Sequence, residues 1–142
     1  MNHVFTEDYA PVLIVDDTVF NIMILQNIFL INHKIKTDQA ISGEEAIMKC
    51  KQRITLGQEA YRLIVMDINM PGMDGVVATK KIREIFDPYV KKRGQKDYTI
   101  VAHTALPEEQ FGDCTEKGFD AFMQKPIDND LLIEYLKKVH LK

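Results

Sequence analysis

The sequence has little of what builds a small secreted scaffold. It contains only two cysteines, Cys50 and Cys114, which form neither a CxxC pair nor the spacing of a zinc site. Small secreted domains that depend on disulfides carry more cysteines at short intervals, so this class is excluded. We therefore expect a reducing, intracellular environment and a cytoplasmic protein.

Long apolar runs are also missing. The longest purely aliphatic stretches have four residues, as in Val12–Val15, whereas about 20 apolar residues are needed to cross a bilayer. The first ten residues contain Glu7 and Asp8 but no Lys or Arg before an apolar stretch, which does not fit a secretory signal. We expect no membrane insertion by this chain.

Neither sign of charge is in large excess. Eighteen Lys and Arg residues stand against 21 Asp and Glu residues, which gives a net charge of −3. A domain whose main partner is nucleic acid needs an excess of Lys and Arg to contact phosphates. We therefore expect no nucleic-acid partner.

The sequence does contain one domain of alternating elements. Its 142 residues fit a single domain, and we assign 1–10 to an N-terminal extension and 11–142 to the folded domain. A short aliphatic run followed by a longer amphipathic stretch occurs five times. The runs predict strands at 12–15, 35–40, 63–66, 100–102 and 121–123, and helices at 18–32, from Ser42 (a capping box with Glu45), at 76–86 with Pro88 ending the helix, at 107–118 and at 128–141.

Short aliphatic strands that alternate with helices indicate an α/β fold with a parallel sheet covered on both faces. Five such units are too few for an eight-fold barrel. We predict a doubly wound, five-stranded, flavodoxin-like sheet in the order 2-1-3-4-5. In such sheets the functional site lies beyond the carboxyl ends of the strands.

Polar groups follow four of the five predicted strands. Strand 1 ends in Asp16 and Asp17, strand 3 in Asp67, strand 4 in Thr104 and strand 5 in Lys125. Each has a purely structural interpretation when taken alone, such as a helix cap for Asp17. Together they predict a cleft with three carboxylates, one hydroxyl and one ammonium group.

Crowded carboxylates raise a pKa or bind a cation. Ligands that are all oxygen favour a hard ion, and Mg²⁺ is the natural candidate. Asp67 could then attack phosphorus as a carboxylate nucleophile, while Lys125 and Thr104 contact phosphoryl oxygens. The pattern predicts Mg²⁺-dependent phosphoryl transfer onto an aspartate, with no small-molecule cofactor beyond Mg²⁺.

These motifs resemble the receiver domain of two-component response regulators. The resemblance rests on Asp16-Asp17, on the segment 66–75 (MDINMPGMDG), on Thr104-Ala105 and on Lys125-Pro126, and it spans about residues 11–141. It implies a signalling phosphoacceptor that assists its own phosphorylation and dephosphorylation, rather than an enzyme. It also implies a phosphohistidine donor on a histidine kinase or a histidine phosphotransfer protein.

The resemblance further implies a role for each matching residue. Asp67 is the expected phosphoacceptor, Asp17, Asp67 and the main-chain carbonyl of Asn69 are the expected Mg²⁺ ligands, and Asp16 is expected to reach the ion through water. Thr104 and the aromatic Phe122 are the expected switch pair, which changes the face formed by helix 4, strand 5 and helix 5. Lys125 is expected to contact the phosphoryl group and to precede a cis peptide bond to Pro126. Asn21 is similar to its counterpart in receivers of hybrid sensor kinases.

Three features depart from this pattern or have no predicted role. Residues 88–98 lengthen the connection before strand 4 and are interpreted as a solvated loop, with a partner-binding patch as the alternative. His103 is interpreted as a strand-end residue near the cleft. His33 and His140 lie far apart in the sequence and are given no role.

Other functions remain as alternatives. A haloacid dehalogenase-type phosphatase would need a second Asp two residues after its nucleophile, where this chain has Asn69. A flavin-phosphate binder would need an anion-accepting loop after strand 1, where Asp16 and Asp17 repel phosphate. A receiver-like interaction module that is never phosphorylated would not need the complete acidic set. A stand-alone regulator and a module of a longer kinase both fit.

Overall fold

The computed structural model describes residues 9–95 and 97–141. Five parallel strands form one sheet in the order β2-β1-β3-β4-β5, which confirms the predicted topology. The strands are β1 Val12–Val15, β2 Thr37–Ala40, β3 Leu63–Asp67, β4 Thr99–Thr104 and β5 Ala121–Gln124. The helices are α1 Val19–Asn27, α2 Gly43–Thr55, α3 Gly75–Arg93, α4 Glu108–Phe111 and α5 Asn129–Lys138, and a π-helical segment, Ile28–Asn32, follows α1.

The two faces of the sheet bury separate apolar cores. Alternate residues of each strand point to opposite faces, so Leu13 belongs to the core beneath α2 and α3 and Ile14 to the core beneath α1 and α5. The central strands are buried along their whole length, as expected for a parallel sheet with helices on both sides. The sheet therefore holds the strand ends in fixed relative positions.

Helix α2 begins at the predicted capping box. The Ser42 side chain accepts a hydrogen bond from the Glu45 amide at 3.1 Å. The Glu45 carboxylate accepts one from the Ile41 amide at 2.7 Å, one residue before the cap. The first bond satisfies an amide that the first turn of a helix otherwise leaves without a partner, and the second ties the residue before the cap to the helix.

Helix α3 does not end at Pro88, so this prediction was wrong. The helix continues through Pro88 to Arg93, and most of 88–98 is helix rather than loop. Beyond the proline, the Tyr89 hydroxyl donates to the carbonyl of Gln58 at 2.6 Å and the Arg93 guanidinium donates to the carbonyl of Gly57 at 2.7 Å. Packing against the loop after α2 thus stabilises a continuation that proline alone disfavours.

Three other helices are shorter than predicted, and α5, which spans Asn129–Lys138 instead of 128–141, differs least. Helix α4 ends at Phe111 rather than near Gly118, because Gly112 takes a positive φ of 89° and the chain turns away. The α-helical part of α1 ends at Asn27 and continues as the π-helical segment. Among the described residues, no helix combines the length and apolar character that crossing a membrane requires. Most of the predicted extension 1–10 lies outside the described residues.

Candidate functional site

The carboxyl ends of β1 and β3 bring three carboxylates together. Asp16 and Asp17 directly follow β1, and Asp67 is the last residue of the neighbouring strand β3. One oxygen atom from each carboxylate lies within 4.8 Å of the other two. The sheet therefore assembles the acidic cluster that was predicted from the strand ends.

Lys125 reaches this cluster from the loop after β5. Its Nζ lies 3.0 Å from Oδ2 of Asp16 and 3.4 Å from Oδ1 of Asp67. The amide of Lys125 also donates to the carbonyl of Thr104 at 2.7 Å, and the peptide bond to Pro126 is cis, as expected. The ammonium group is thus held against both buried carboxylates.

The two neighbouring aspartates differ in their surroundings. Asp16 is buried, and its carboxylate accepts hydrogen bonds from the Thr18 amide at 2.9 Å and from the Asn21 side chain at 3.4 and 3.5 Å, besides the Lys125 contact. Asp17 is exposed. Asp16 is therefore fixed in orientation, while the Asp17 carboxylate faces solvent.

Burial and charge shift the pKa values of the cluster. Burial raises the pKa of Asp67 to about 6, the Lys125 ammonium opposes this, and the charges of Asp16 and Asp17 add to it. Burial alone would lower the pKa of Lys125, but its hydrogen bond to Asp16 and the charge of Asp67 outweigh burial and raise it. Negative charge at Asp67 is therefore costly, which favours any reaction or ligand that neutralises it.

The residues present fit a magnesium ion. Three carboxylates offer oxygen ligands within a few ångströms of each other, and hard cations such as Mg²⁺ prefer such ligands. Asn69, whose main-chain carbonyl is expected to bind the ion beside Asp17 and Asp67, lies two residues beyond β3 and is exposed. Gly75 lets α3 begin close to this point, because a Cβ atom there would lie 2.1 Å from the carbonyl oxygen of Asp67.

Two residues of β4 border the cluster. Thr104 is completely buried, and its Oγ1 accepts a hydrogen bond from the Leu106 amide at 3.2 Å. His103 pairs in register with Asp67 and is also buried, and its Nε2 has no hydrogen-bond partner among the described residues. Burial, with a contribution from the Lys125 charge, lowers the pKa of His103 to about 4, so the imidazole is neutral at pH 7.

Phe122 lies on β5 beside an aromatic cluster. It is half-buried, and its ring centroid lies 5.4 Å from that of Phe111, which in turn lies 5.9 Å from that of Phe119. The Tyr135 hydroxyl of α5 donates to the main-chain carbonyl of Phe122 at 3.0 Å. The backbone of Phe122 is thus tied to α5, while its ring packs against α4.

A family model and curated proteins match this chain. The model of the response regulator receiver domain matches residues 12–137. Hybrid signal transduction histidine kinase M of Dictyostelium discoideum is 33% identical over 129 residues. That match covers 90% of this chain and 5% of the kinase, so the chain spans a small part of this relative.

Solved structures share the fold over nearly the whole chain. The CheX-CheY-BeF3-Mg²⁺ complex of Borrelia burgdorferi contains a chain with 33% identity and a TM-score of 0.71, covering 92% of this chain and 89% of that chain. The co-crystal structure of the Saccharomyces cerevisiae histidine phosphotransfer protein Ypd1 with the receiver domain of Ssk1 contains a chain with 30% identity and a TM-score of 0.69, covering 89% and 86%. This chain belongs to the response regulator receiver family of two-component signalling, whose members are phosphoacceptors rather than enzymes in the usual sense.

Proposed function

We propose that this chain, as a receiver unit of residues 11–142, accepts a phosphoryl group from a phosphohistidine of a partner protein onto Asp67, in a Mg²⁺-dependent reaction in the cytoplasm. The observation that carries this proposal is the position of Asp67, a nearly buried carboxylate within 4.8 Å of two others and 3.4 Å from an ammonium group. The ammonium group can stabilise the charge of the transferred phosphoryl group, and the crowded carboxylates favour a reaction that neutralises Asp67.

The chemistry follows from the positions of these groups. An oxygen of Asp67 forms a bond to phosphorus while the P–N bond to the partner's histidine breaks, and the electron pair remains on the imidazole nitrogen, which then takes up a proton. Mg²⁺, held by Asp17, Asp67 and the main-chain carbonyl of Asn69, with Asp16 reaching it through water, would neutralise phosphoryl oxygens. Lys125 exchanges its contact with Asp67 for one with a phosphoryl oxygen.

The partner in this proposal is a histidine kinase or a histidine phosphotransfer protein that docks on α1. Helix α1 exposes a continuous apolar surface next to Asp17, formed by Val19, Phe20, Met23 and Ile24, each more than 40% exposed. Exposed apolar patches of this kind mark protein interfaces. Its position beside the acidic cluster would bring a docked partner's histidine to Asp67, and the Ypd1 complex shows that a similar receiver binds a phosphotransfer protein.

Phosphorylation is proposed to switch the face formed by α4, β5 and α5. The Thr104 hydroxyl now accepts a bond from the Leu106 amide, and it can instead donate to a phosphoryl oxygen on Asp67. This movement leaves space beside β5, into which the Phe122 ring turns, away from Phe111. A partner that prefers one arrangement then reads the difference, as any population shift requires.

Phosphorylation with a small donor tests the acceptor. Acetyl phosphate with Mg²⁺ should add one phosphoryl mass, and Asp67→Asn should lose this labelling completely. Asp97→Asn removes an exposed carboxylate outside the site and should be labelled like the wild type. Undiminished labelling of Asp67→Asn would show that the acceptor is another residue.

A second experiment tests the switch. Thr104→Ala should keep labelling of Asp67 but lose the coupling to Phe122. Aromatic and amide NMR shifts with and without beryllofluoride, a phosphoryl mimic, measure this coupling. If Phe122 and residues 108–111 shift equally in the wild type and in Thr104→Ala, the Thr–aromatic coupling is wrong.

A further inference from the structure

A groove lies at the end of the sheet where the strands begin, opposite the acidic cluster. We call this end the amino edge and the end with the acidic cluster the carboxyl edge. The groove has a volume of about 380 Å³ and is lined by the segments that precede β1, β2 and β3 and by the segment that follows α5. This volume falls in the range of small-molecule sites, roughly 300–1,000 Å³. The groove shares no lining residue with the acidic cluster.

The groove is positively charged in a chain whose net charge is negative. Lys34, Lys36, Arg62 and His140 line it, together with Glu59, the one carboxylate among its described lining residues. Glu59 and Arg62 form an ion pair at 3.1 Å, so their charges balance each other and the lysines carry the net positive charge of the groove. The side chains of Lys34, Lys36 and His140 are exposed to solvent. Cations therefore dominate the opening of the groove.

The backbone of the groove is strained at two of its lining residues. Lys34 has a φ of 56° and His140 a φ of 63°, and they are the two non-glycine residues with positive φ in the described part of the chain. This left-handed conformation is unfavourable for a residue with a Cβ atom and is normally taken by glycine. Non-glycine residues held in it are concentrated at functional sites.

Two other helix ends provide an internal comparison. Helices α2 and α3 are followed by the same kind of left-handed residue, and there it is glycine, Gly57 and Gly94, with open space around the position of a Cβ atom. Basic side chains in the last turns of α2 and α3, such as Arg53 and Arg93, already complement the helix dipoles there. A residue with a side chain takes the left-handed position only at the two ends that border the groove, at Lys34 and His140. Each of the four turns closes with a backbone bond, Gln58 to Arg53, Gln95 to Val90, Leu141 to Leu136 and Ile35 to Phe29.

We propose that this groove binds a small phosphate-bearing anion. Lysine ammonium groups recognise phosphate, and those of Lys34 and Lys36 are exposed at the groove. Ile35, Leu141 and the Tyr9 ring supply apolar walls for the rest of the ligand. The acidic cluster at the other edge repels such an anion in the absence of Mg²⁺. The ligand is therefore recognised independently of Asp67.

An NMR titration of the metal-free protein tests the site, with inorganic pyrophosphate and adenosine monophosphate as probes. Saturable shifts should concentrate at the amides of 33–36 and 140–141, while those of Asp17 and Asp67 stay unchanged. The double variant Lys34→Gly/His140→Gly should bind at least tenfold more weakly and still unfold cooperatively, because glycine suits both backbone positions. Lys80→Ala, which removes an exposed lysine of α3 outside the groove, should bind like the wild type.

Two results would overturn the proposal. One is a set of shifts that grows linearly with the probe concentration, without saturation, over the whole surface. The other is unchanged affinity in the double glycine variant. Sedimentation with phosphatidylcholine vesicles that carry a phosphoinositide identifies the source of the phosphate: binding that the double variant loses assigns a lipid headgroup, and saturable binding of the soluble probes alone assigns a soluble phosphate ester.

Discussion

The two edges of the sheet carry charges of opposite sign in opposite settings. At the carboxyl edge, Asp16 and Asp67 are buried, 1% and 6% exposed, and a half-buried lysine lies between them. At the amino edge, the cations Lys34 and Lys36 are exposed. Burying charge is costly unless it is paired, whereas exposed charge costs little. At the carboxyl edge the unfavourable free energy therefore comes from buried charge. At the amino edge it comes from the left-handed backbone of Lys34 and His140.

Acid should destabilise the carboxyl edge through His103, and this is the largest effect we expect. The pKa of His103 is lowered to about 4 by burial from an ordinary value near 6.5. The folded protein thus binds fewer protons than the unfolded chain between these values, so stability is lost as the pH falls from 6.5 to 4. In protein that carries Asp67→Asn, the form with His103 should lose about 3 kcal/mol over this range relative to the form with His103→Leu, measured by denaturant unfolding.

The background for this measurement should be Asp67→Asn. The pKa of Asp67 is raised to about 6, so the folded protein binds its proton more readily than the unfolded chain, and stability rises as the pH falls through 6. This effect opposes that of His103 and reduces the net pH dependence of the wild type, and the Asp67→Asn background removes it. Equal pH slopes with and without His103 in the Asp67→Asn background would contradict a buried neutral imidazole.

Magnesium should stabilise the folded protein by binding at the carboxyl edge alone. A ligand that binds the folded state alone adds about 2.7 kcal/mol at 100 times its dissociation constant. Asp17→Asn removes an exposed carboxylate of the cluster and should reduce the rise in melting temperature. Lys36→Ala changes the other edge and should retain the full rise. Indifference of the wild type to millimolar Mg²⁺ would argue against an ion site.

Relief of backbone strain at the amino edge should have the smallest effect. Lys34→Gly should raise the free energy of unfolding by up to about 1 kcal/mol, because glycine takes a positive φ without steric cost. Lys36→Gly is the matched control, since Lys36 is not among the residues with positive φ, and it should lower stability. Denaturant unfolding of both variants measures the difference. A loss in Lys34→Gly as large as in Lys36→Gly would mean that the Lys34 side chain stabilises the fold.

The sheet and its acidic edge could be predicted because their signals are local. Four-residue aliphatic runs identify buried strands, and the residues directly after Val15 and Met66 fall at the strand ends in any doubly wound order. That order predicted a shared cleft for Asp16 and Lys125, which lie 109 residues apart, but their direct contact was found only in the structure. Nothing in the sequence indicates that Asp16 is buried while its neighbour Asp17 is exposed.

The errors arose where tertiary contacts outweigh local propensity. Pro88 predicts a helix end, but bonds from Tyr89 and Arg93 to the loop after α2 hold the helix beyond it. The amino-edge groove was missed because its residues come from distant segments, and only the fold brings Lys34 and His140 together. Left-handed backbone at a lysine or a histidine has no signal in the sequence.

The single turn of α4 makes its face of the domain easy to remodel. Its closing bonds run from the amides of Phe111 and Gly112 to the carbonyls of Pro107 and Glu108, each 3.0 Å long. Segments with so few bonds open at low free energy, and their amides exchange with solvent rapidly. In the proposed switch the Phe122 ring leaves Phe111, and α4 would then lose this aromatic contact. A partner that binds this face would then have to order α4. Its affinity would depend on the conformational entropy that this one turn loses on binding.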